Sequence, residues 1–148
     1  MTQLEEMKFH RLMDRLASDP RCLRMKRYIQ HGSVTTYEHA MRVSRMAYVV
    51  NLRMHAHADE AKLLRCAFLH DYFLYDWHEK GHDDHALYHP VKAAENAKRD
   101  FGISEQEMNI IASHMWPLPP LRIPMCREAW ILTAADKICS LEETQSRR

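Results

Sequence analysis

Glycine is scarce in this chain, 3 of 148 residues, and proline accounts for only 6. So few turn formers argue against a sandwich or barrel of many short strands, and the abundant Ala, Leu, Met, Lys, Arg and Glu favour helices. No apolar run reaches the roughly 18–20 residues of a membrane-spanning helix, so no membrane partner is expected. Neither sign of charge dominates: 21 basic against 20 acidic side chains leave a formal charge of +1. That balance gives no general attraction to a nucleic-acid polymer or an anionic membrane, and leaves only local basic pockets open. The four cysteines, Cys22, Cys66, Cys126 and Cys139, form no C-x-x-C pair. Cys66 and Cys139 stand in apolar runs and read as buried free thiols. Met1 to His10 carries Glu5, Glu6 and Lys8, unlike a signal peptide, and a reducing cytoplasm is the expected location. At 148 residues the expectation is a single domain, 1–148, large enough to bury its own core.

Histidine is the residue in excess, with 11 copies and no hexahistidine run to explain them. Imidazole is the commonest metal ligand and titrates near neutral pH, so the positions of these residues decide the reading.

Helix signals are frequent. A first helix is expected from about Thr2 to Ala17, with Leu4, Met7, Leu12 and Leu16 along one side. Ser18-Asp19-Pro20 ends it and starts another, because proline is tolerated at the first helical position. After the break at Gly32-Ser33, Thr35 and Glu38 fit a capping box that opens a helix to about Met54, with Met41, Ser44, Ala47 and Tyr48 as its packing stripe. Another runs from about Asp59 to His70 with Ala61, Leu64, Ala67 and Phe68 inward, and a polar loop covers Asp76 to Tyr88. His89-Pro90 is expected to start the next helix, ending near Gly102, and Ser104 with Glu107 caps a helix to about His114. Pro117, Pro119 and Pro120 forbid helix; the last one spans about Pro124 to Glu143 with Ala129, Leu132, Ala135 and Ile138 in register. No segment reads as a strand. The pattern is an all-α bundle of six to seven helices.

Polar residues interrupt these apolar stripes at chemically suggestive places. His70-Asp71 directly follows Phe68-Leu69, and Asp136 sits inside Ile131-Leu132-Thr133-Ala134-Ala135-Asp136-Lys137-Ile138. A buried carboxylate is costly unless it is paired, hydrogen-bonded or bound to metal. His39 lies in the first turns of its own helix. Taken alone, His70-Asp71 reads first as a helix C-terminus stabilised by its histidine. With His39 and Asp136 it makes a set drawn from three helices, the way bundles build metal sites. Such N/O ligands suit a divalent first-row metal or magnesium.

The ordered pattern H…HD…D resembles the HD superfamily of metal-dependent phosphohydrolases. Phe68 to Trp77, then His89-Pro90, then His114-Met115-Trp116-Pro117 are similar to small stand-alone bacterial HD proteins, over roughly residues 20 to 143. The resemblance implies a compact helical HD domain with His39, His70, Asp71 and Asp136 on one metal, and His89, His114 and a bridging Asp71 on a second. Iron or manganese fits this set first, with magnesium, zinc, nickel and cobalt compatible. Two such cations can activate water and clamp phosphoryl oxygens. Read only as helix ends, His89 and His114 are also plausible capping histidines.

Further candidates flank this set. Lys137, Arg42 and Lys92 are placed to meet phosphate charge, with solvated surface lysine as the plain alternative for Lys92 and Lys137. Asp76 would orient water or substrate, or cap its loop. His78, His82 and His85 with Asp83 and Asp84 suggest a lid, and Trp116 to Pro120 is a stiff apolar loop read first as ordinary packing and second as a wall for an organic group. His10 and His31 show no evident partner. Tyr72-Phe73 replaces the Ile-Gly that follows the HD pair in cyclic-dinucleotide hydrolases, which weakens transfer from that branch. The expected activity is hydrolysis of a small phosphorylated substrate: a nucleotide, a dinucleoside polyphosphate or another phosphate ester. A silent nucleotide- or protein-binding module and a dioxygen-dependent di-iron oxygenase are the alternatives, and a homodimer is compatible with the sequence.

Overall fold

Thr2 accepts the backbone N–H of Glu5 while the Glu5 carboxylate accepts that of Thr2, and this reciprocal cap opens α1 (Gln3–Ala17). The computed structural model describes residues 1–146. Phe9 and Met13, not Leu4 and Met7, are the buried side chains of α1; Leu4 and Met7 are 76% and 55% exposed. At roughly 100° per residue, Leu4 and Met7 fall on the side opposite Phe9, Met13, Leu12 and Leu16. The expected line of three leucines and one methionine therefore does not form one face. Asp19 caps the short α2 (Pro20–Leu23), and a 3₁₀ turn, Arg24–Arg27, follows.

A two-stranded antiparallel hairpin comes next, β1 (Ile29–His31) and β2 (Val34–Thr35), turning through Gly32 at φ +59. Strands of three and two residues are too short to show a two-residue alternation, so the expectation of no strand fails here. The consequence is local: the hairpin carries Gln30 and His31 to the end of the bundle where the histidines collect.

The capping boxes hold where they were read. Thr35 and Glu38 open α3 (Thr36–Arg53), and Ser104 and Glu107 open α6 (Glu105–Ala112). The inward stripe of α3 is Thr36, His39, Ala40, Val43, Ser44, Ala47, Tyr48 and Asn51, with Met41 only half-buried. In α4 (Glu60–Leu69), capped by Asp59, Leu63 and Leu64 point inward and Ala61 is exposed. α5 (His85–Phe101) begins a full turn before His89-Pro90, so His89 and Pro90 lie within the helix. Pro90 sits in the second turn of α5, where it lacks the N–H that would have met the Ala86 carbonyl. Gly102, at φ +61, closes α5 with its N–H on the Lys98 carbonyl. α7 (Arg127–Gln145) starts three residues later than expected and buries Cys139 in place of Ile138.

The helix α3 packs against both α4 and α7, while α5 and α6 pair with each other. The core between them includes Tyr48, Phe9, Phe68, Leu63, Leu64, Leu69, Ile110, Ile111 and Leu132. Cys22, Cys66 and Cys139 are buried free thiols within it. Among the described residues, no helix is long and apolar enough to cross a membrane.

Candidate metal centre

Five helices deliver six polar side chains to one buried cluster. His39 comes from the second turn of α3, His70 and Asp71 from the end of α4, and Asp136 from the middle of α7. His89 comes from α5 and His114 from just past the end of α6. His39, His70 and His114 are fully buried, and Asp71, His89 and Asp136 are 2%, 4% and 7% exposed.

The ring orientation of three histidines is set by the backbone of their own helices. Nδ1 of His70 lies 2.7 Å from the Ala67 carbonyl, Nδ1 of His89 lies 2.8 Å from that of His85, and Nδ1 of His114 lies 2.7 Å from that of Ile111. A carbonyl can only accept, so each Nδ1 carries the proton and each Nε2 turns an unprotonated lone pair inward when the ring is neutral. His39 differs: its Nδ1 is 3.0 Å from Oε2 of Glu143.

Asp71 stands between two groups. Its Oδ2 faces His70 Nε2 at 3.3 Å and His39 Nε2 at 3.7 Å. Its Oδ1 faces His89 Nε2 at 3.2 Å and His114 Nε2 at 3.5 Å. Asp136 completes the first group, with Oδ1 3.0 Å from His39 Nε2 and 3.5 Å from His70 Nε2. Nε2 of His89 and Nε2 of His114 are 3.1 Å apart; with both Nδ1 protons engaged, two lone pairs meet there and repel unless a cation or an added proton intervenes. His70 Nε2 and Asp71 Oδ1 are buried without a hydrogen-bond partner. Buried polar atoms without partners are expensive, and a divalent cation is a partner that Asp71 Oδ1 and Nε2 of the neutral His70 ring can both take. Each of His39, His70 and Asp136, and each of His70, Asp71 and His114, offers a ligand atom within 4.8 Å of the others in its set. The residues fit a metal.

Electrostatics agree with the geometry. Burial alone would raise the carboxyl of Asp71, but His70 and His89 outweigh it and hold that group well below the usual carboxylate range. Asp136 is held low in the same way, against burial, by His39 and His70. Burial opposes protonation of His39, yet Asp136 and Glu143 raise it to about 9. His114 is pushed down to about 3 by burial and by its histidine neighbours.

These directions fix the stability of chelator-treated protein against pH. Below 6.5 the unfolded chain takes up a proton that folded His114 refuses, so stability rises with pH toward 6.5. Above 6.5 folded His39 keeps a proton that the unfolded chain has lost, so this contribution disappears as pH climbs through about 9. The thermal midpoint of the stripped protein is therefore expected to peak near pH 6.5 and fall on both sides. A midpoint rising steadily from pH 6.5 to 9 would contradict the arrangement.

The HD domain family model matches residues 36–141. The chain belongs to the HD-domain family. No curated protein and no solved structure matches it significantly. The HD match begins at Thr36 and ends at Leu141, so all six clustered residues lie inside it. Divalent metals are bound by this family.

Some contributors to the HD centre went unread in the sequence. Gln30, on β1, donates from Nε2 to Asp71 Oδ2 at 2.7 Å and fixes the carboxylate plane. Glu143, in the last turns of α7, is 3% exposed behind His39. His31 does have neighbours: its ring meets that of His39 edge-on at 5.6 Å, and it forms a further close set with His39 and Glu143. Ser140 donates to Asp136 Oδ1 at 3.3 Å.

The flanking candidates scatter. Asp76 is engaged within its own loop, where Oδ1 accepts from the His78 backbone N–H at 2.9 Å and faces His78 Nδ1 at 3.0 Å. Arg42 places Nη1 3.3 Å from Glu143 Oε1. Lys92 is exposed on α5 and Lys137 on α7, neither in an ion pair among the described residues. Partial burial lowers the Lys137 ammonium against the pull of Asp136. From the expected lid, His85 stacks on His89 at 4.3 Å, Trp77 stacks on His85 at 5.1 Å, and the Tyr75 hydroxyl lies 2.6 Å from His85 Nδ1. Trp116 meets Trp130 edge-on at 5.1 Å, so that loop is packed against α7.

Proposed function

We propose that this HD-domain protein is a phosphohydrolase that uses two divalent metals to cleave a small phosphate ester or anhydride, a nucleotide or dinucleoside polyphosphate foremost. The observation that carries the reading is Asp71, whose two oxygens each face a separate pair of histidines. His39, His70, Asp136 and Asp71 Oδ2 would hold one cation, and His89, His114 and Asp71 Oδ1 the other, with iron or manganese the first candidates. Bound there, the metals would supply Lewis acidity toward phosphoryl oxygens and lower the pKa of water at the site.

The protein's own contribution is orientation and charge. The Nδ1 bonds to Ala67, His85 and Ile111 keep three imidazoles in the ligating tautomer. Gln30 keeps Asp71 in the plane that serves both groups. Asp71 and Asp136 neutralise only half the charge of two divalent ions, which favours an anionic substrate. Lys137, next to Asp136 and unpaired among the described residues, would add charge toward a phosphate, and Lys92 and Arg42 are further candidates. Asp76 would contribute only after exchanging its bonds to His78.

Elemental analysis of protein purified without chelator, with turnover of a generic phosphodiester and a nucleotide panel in added manganese, tests the reading. Close to two first-row metals per chain with phosphate release supports it; no uptake after reconstitution moves the assignment to a binding module. Turnover that requires iron and dioxygen would instead make the centre an oxygenase. His89→Ala or His114→Ala is expected to lose mainly one equivalent, measured by the same analysis. Full stoichiometry in both variants would show that these histidines are not ligands.

A further inference from the structure

Four histidines enter the centre, and three of them lean on neutral backbone carbonyls. Only His39 has a carboxylate behind its ring, with Glu143 Oε2 3.0 Å from Nδ1. His39 is fully buried and Glu143 is 3% exposed, so water screens this pair little. A carboxylate accepting from the far nitrogen of a ligating imidazole orients the ring and raises its basicity. The two groups are unequal on the near side as well. The His39 side has Asp136 Oδ1 and Asp71 Oδ2 close at hand, whereas Asp136 Oδ2 comes no closer than 4.0 Å to His114 Nε2. Glu143 lies two residues beyond the HD match, which ends at 141.

We propose that Glu143 is the positioning residue for His39, and that it makes the His39–His70–Asp136 subsite the tighter of two, so that metals load there first and at His89–His114 second. The inference rests on the two-metal reading above. Arg42, half-exposed on the outer side of Glu143, tempers the carboxylate, because a cation on Oε1 draws charge away from the oxygen facing His39.

The test is a titration of chelator-stripped protein with cobalt(II), followed by calorimetry and by visible absorption. The wild type is expected to take up two equivalents in separate steps. Glu143→Gln keeps an oxygen that can accept the Nδ1 proton and removes the charge. Its tight step should weaken by about 10–100-fold, the range for loss of an outer partner, with the weak step unmoved; the surviving weak step reports that the variant is folded. Should Glu143→Gln fail to fold, Arg42→Gln gives the second measure, expected to shift the tight step alone. Wild-type affinity for both steps in Glu143→Gln overturns the proposal, as does an equal shift of both steps in either variant. A tight step that disappears in His114→Ala reverses the order and overturns it too. No cobalt uptake by the wild type would instead bring down the two-metal reading itself, and the inference with it.

Discussion

Asp71→Asn is expected to lose the metal at His89–His114, to weaken the one at His39–His70–Asp136, and to lose the proposed turnover by well over the roughly 100-fold that marks loss of an outer partner, while keeping its helices. The substitution preserves shape and changes one charge and one atom. At 2% exposure Asp71 has no solvent to compensate it. Gln30 donates to Oδ2, so the new amide must turn its oxygen toward Gln30 and its nitrogen toward His89 and His114. There the NH2 group can donate to a lone pair that now faces Oδ1 across 3.2–3.5 Å. The fold gains a hydrogen bond, and the atom that faced His89 and His114 becomes a donor that repels cations, while the other group keeps an oxygen but loses the carboxylate charge. Elemental analysis, circular dichroism and turnover on one preparation check this. A folded variant that still holds both metals would show that Asp71 does not bridge.

The second large effect is on stability. Metal-free protein keeps His70 Nε2 and Asp71 Oδ1 without partners and leaves the His89 and His114 Nε2 atoms facing each other at 3.1 Å. Cations that bind only the folded chain at 100 times their dissociation constants each add about 2.7 kcal/mol, or roughly 5 kcal/mol for two. In a chain of this size each kcal/mol moves the midpoint by about 2–4 °C, so saturation is expected to raise the thermal midpoint by ~10–20 °C. Scanning calorimetry with and without manganese or iron, under anaerobic conditions for the latter, measures it. The same midpoint in both would remove the case for a structural demand for metal at this cluster.

The helical architecture was legible because its signals are local. The boxes at Thr35/Glu38 and Ser104/Glu107 place two helix starts to the residue, and carboxylates inside apolar stripes marked Asp71 and Asp136. The start of α5 was missed because Asp84, its first flanking residue, makes no side-chain cap, so Pro90 gave the only visible signal and gave it one turn late. The hairpin at 29–35 is too short for periodicity to register. Gln30 and Glu143 were passed over for a different reason: nothing near either in sequence distinguishes it from a surface residue, and its importance exists only once the fold brings it to a partner. The same holds in reverse for Asp76, whose loop chemistry looked catalytic and is satisfied by His78 two residues away.

That division between near and far partners also bears on how the centre comes together during folding. His70, His89 and His114 each take their bearing from a carbonyl three or four residues back, so a turn of helix suffices to aim the ring. His39 and Glu143 are 104 residues apart, and Gln30 and Asp71 are 41 apart. Contacts at such separations require closure of long loops, and in small domains they belong to the slower part of the search. A nascent chain with its helices formed but its ends undocked would therefore present three aimed imidazoles and an unanchored carboxylate: a loose trap for soft or borderline cations. The full cluster, with His39 and Asp71 held by their distant partners, would exist only after the last turns of α7 have seated against α3.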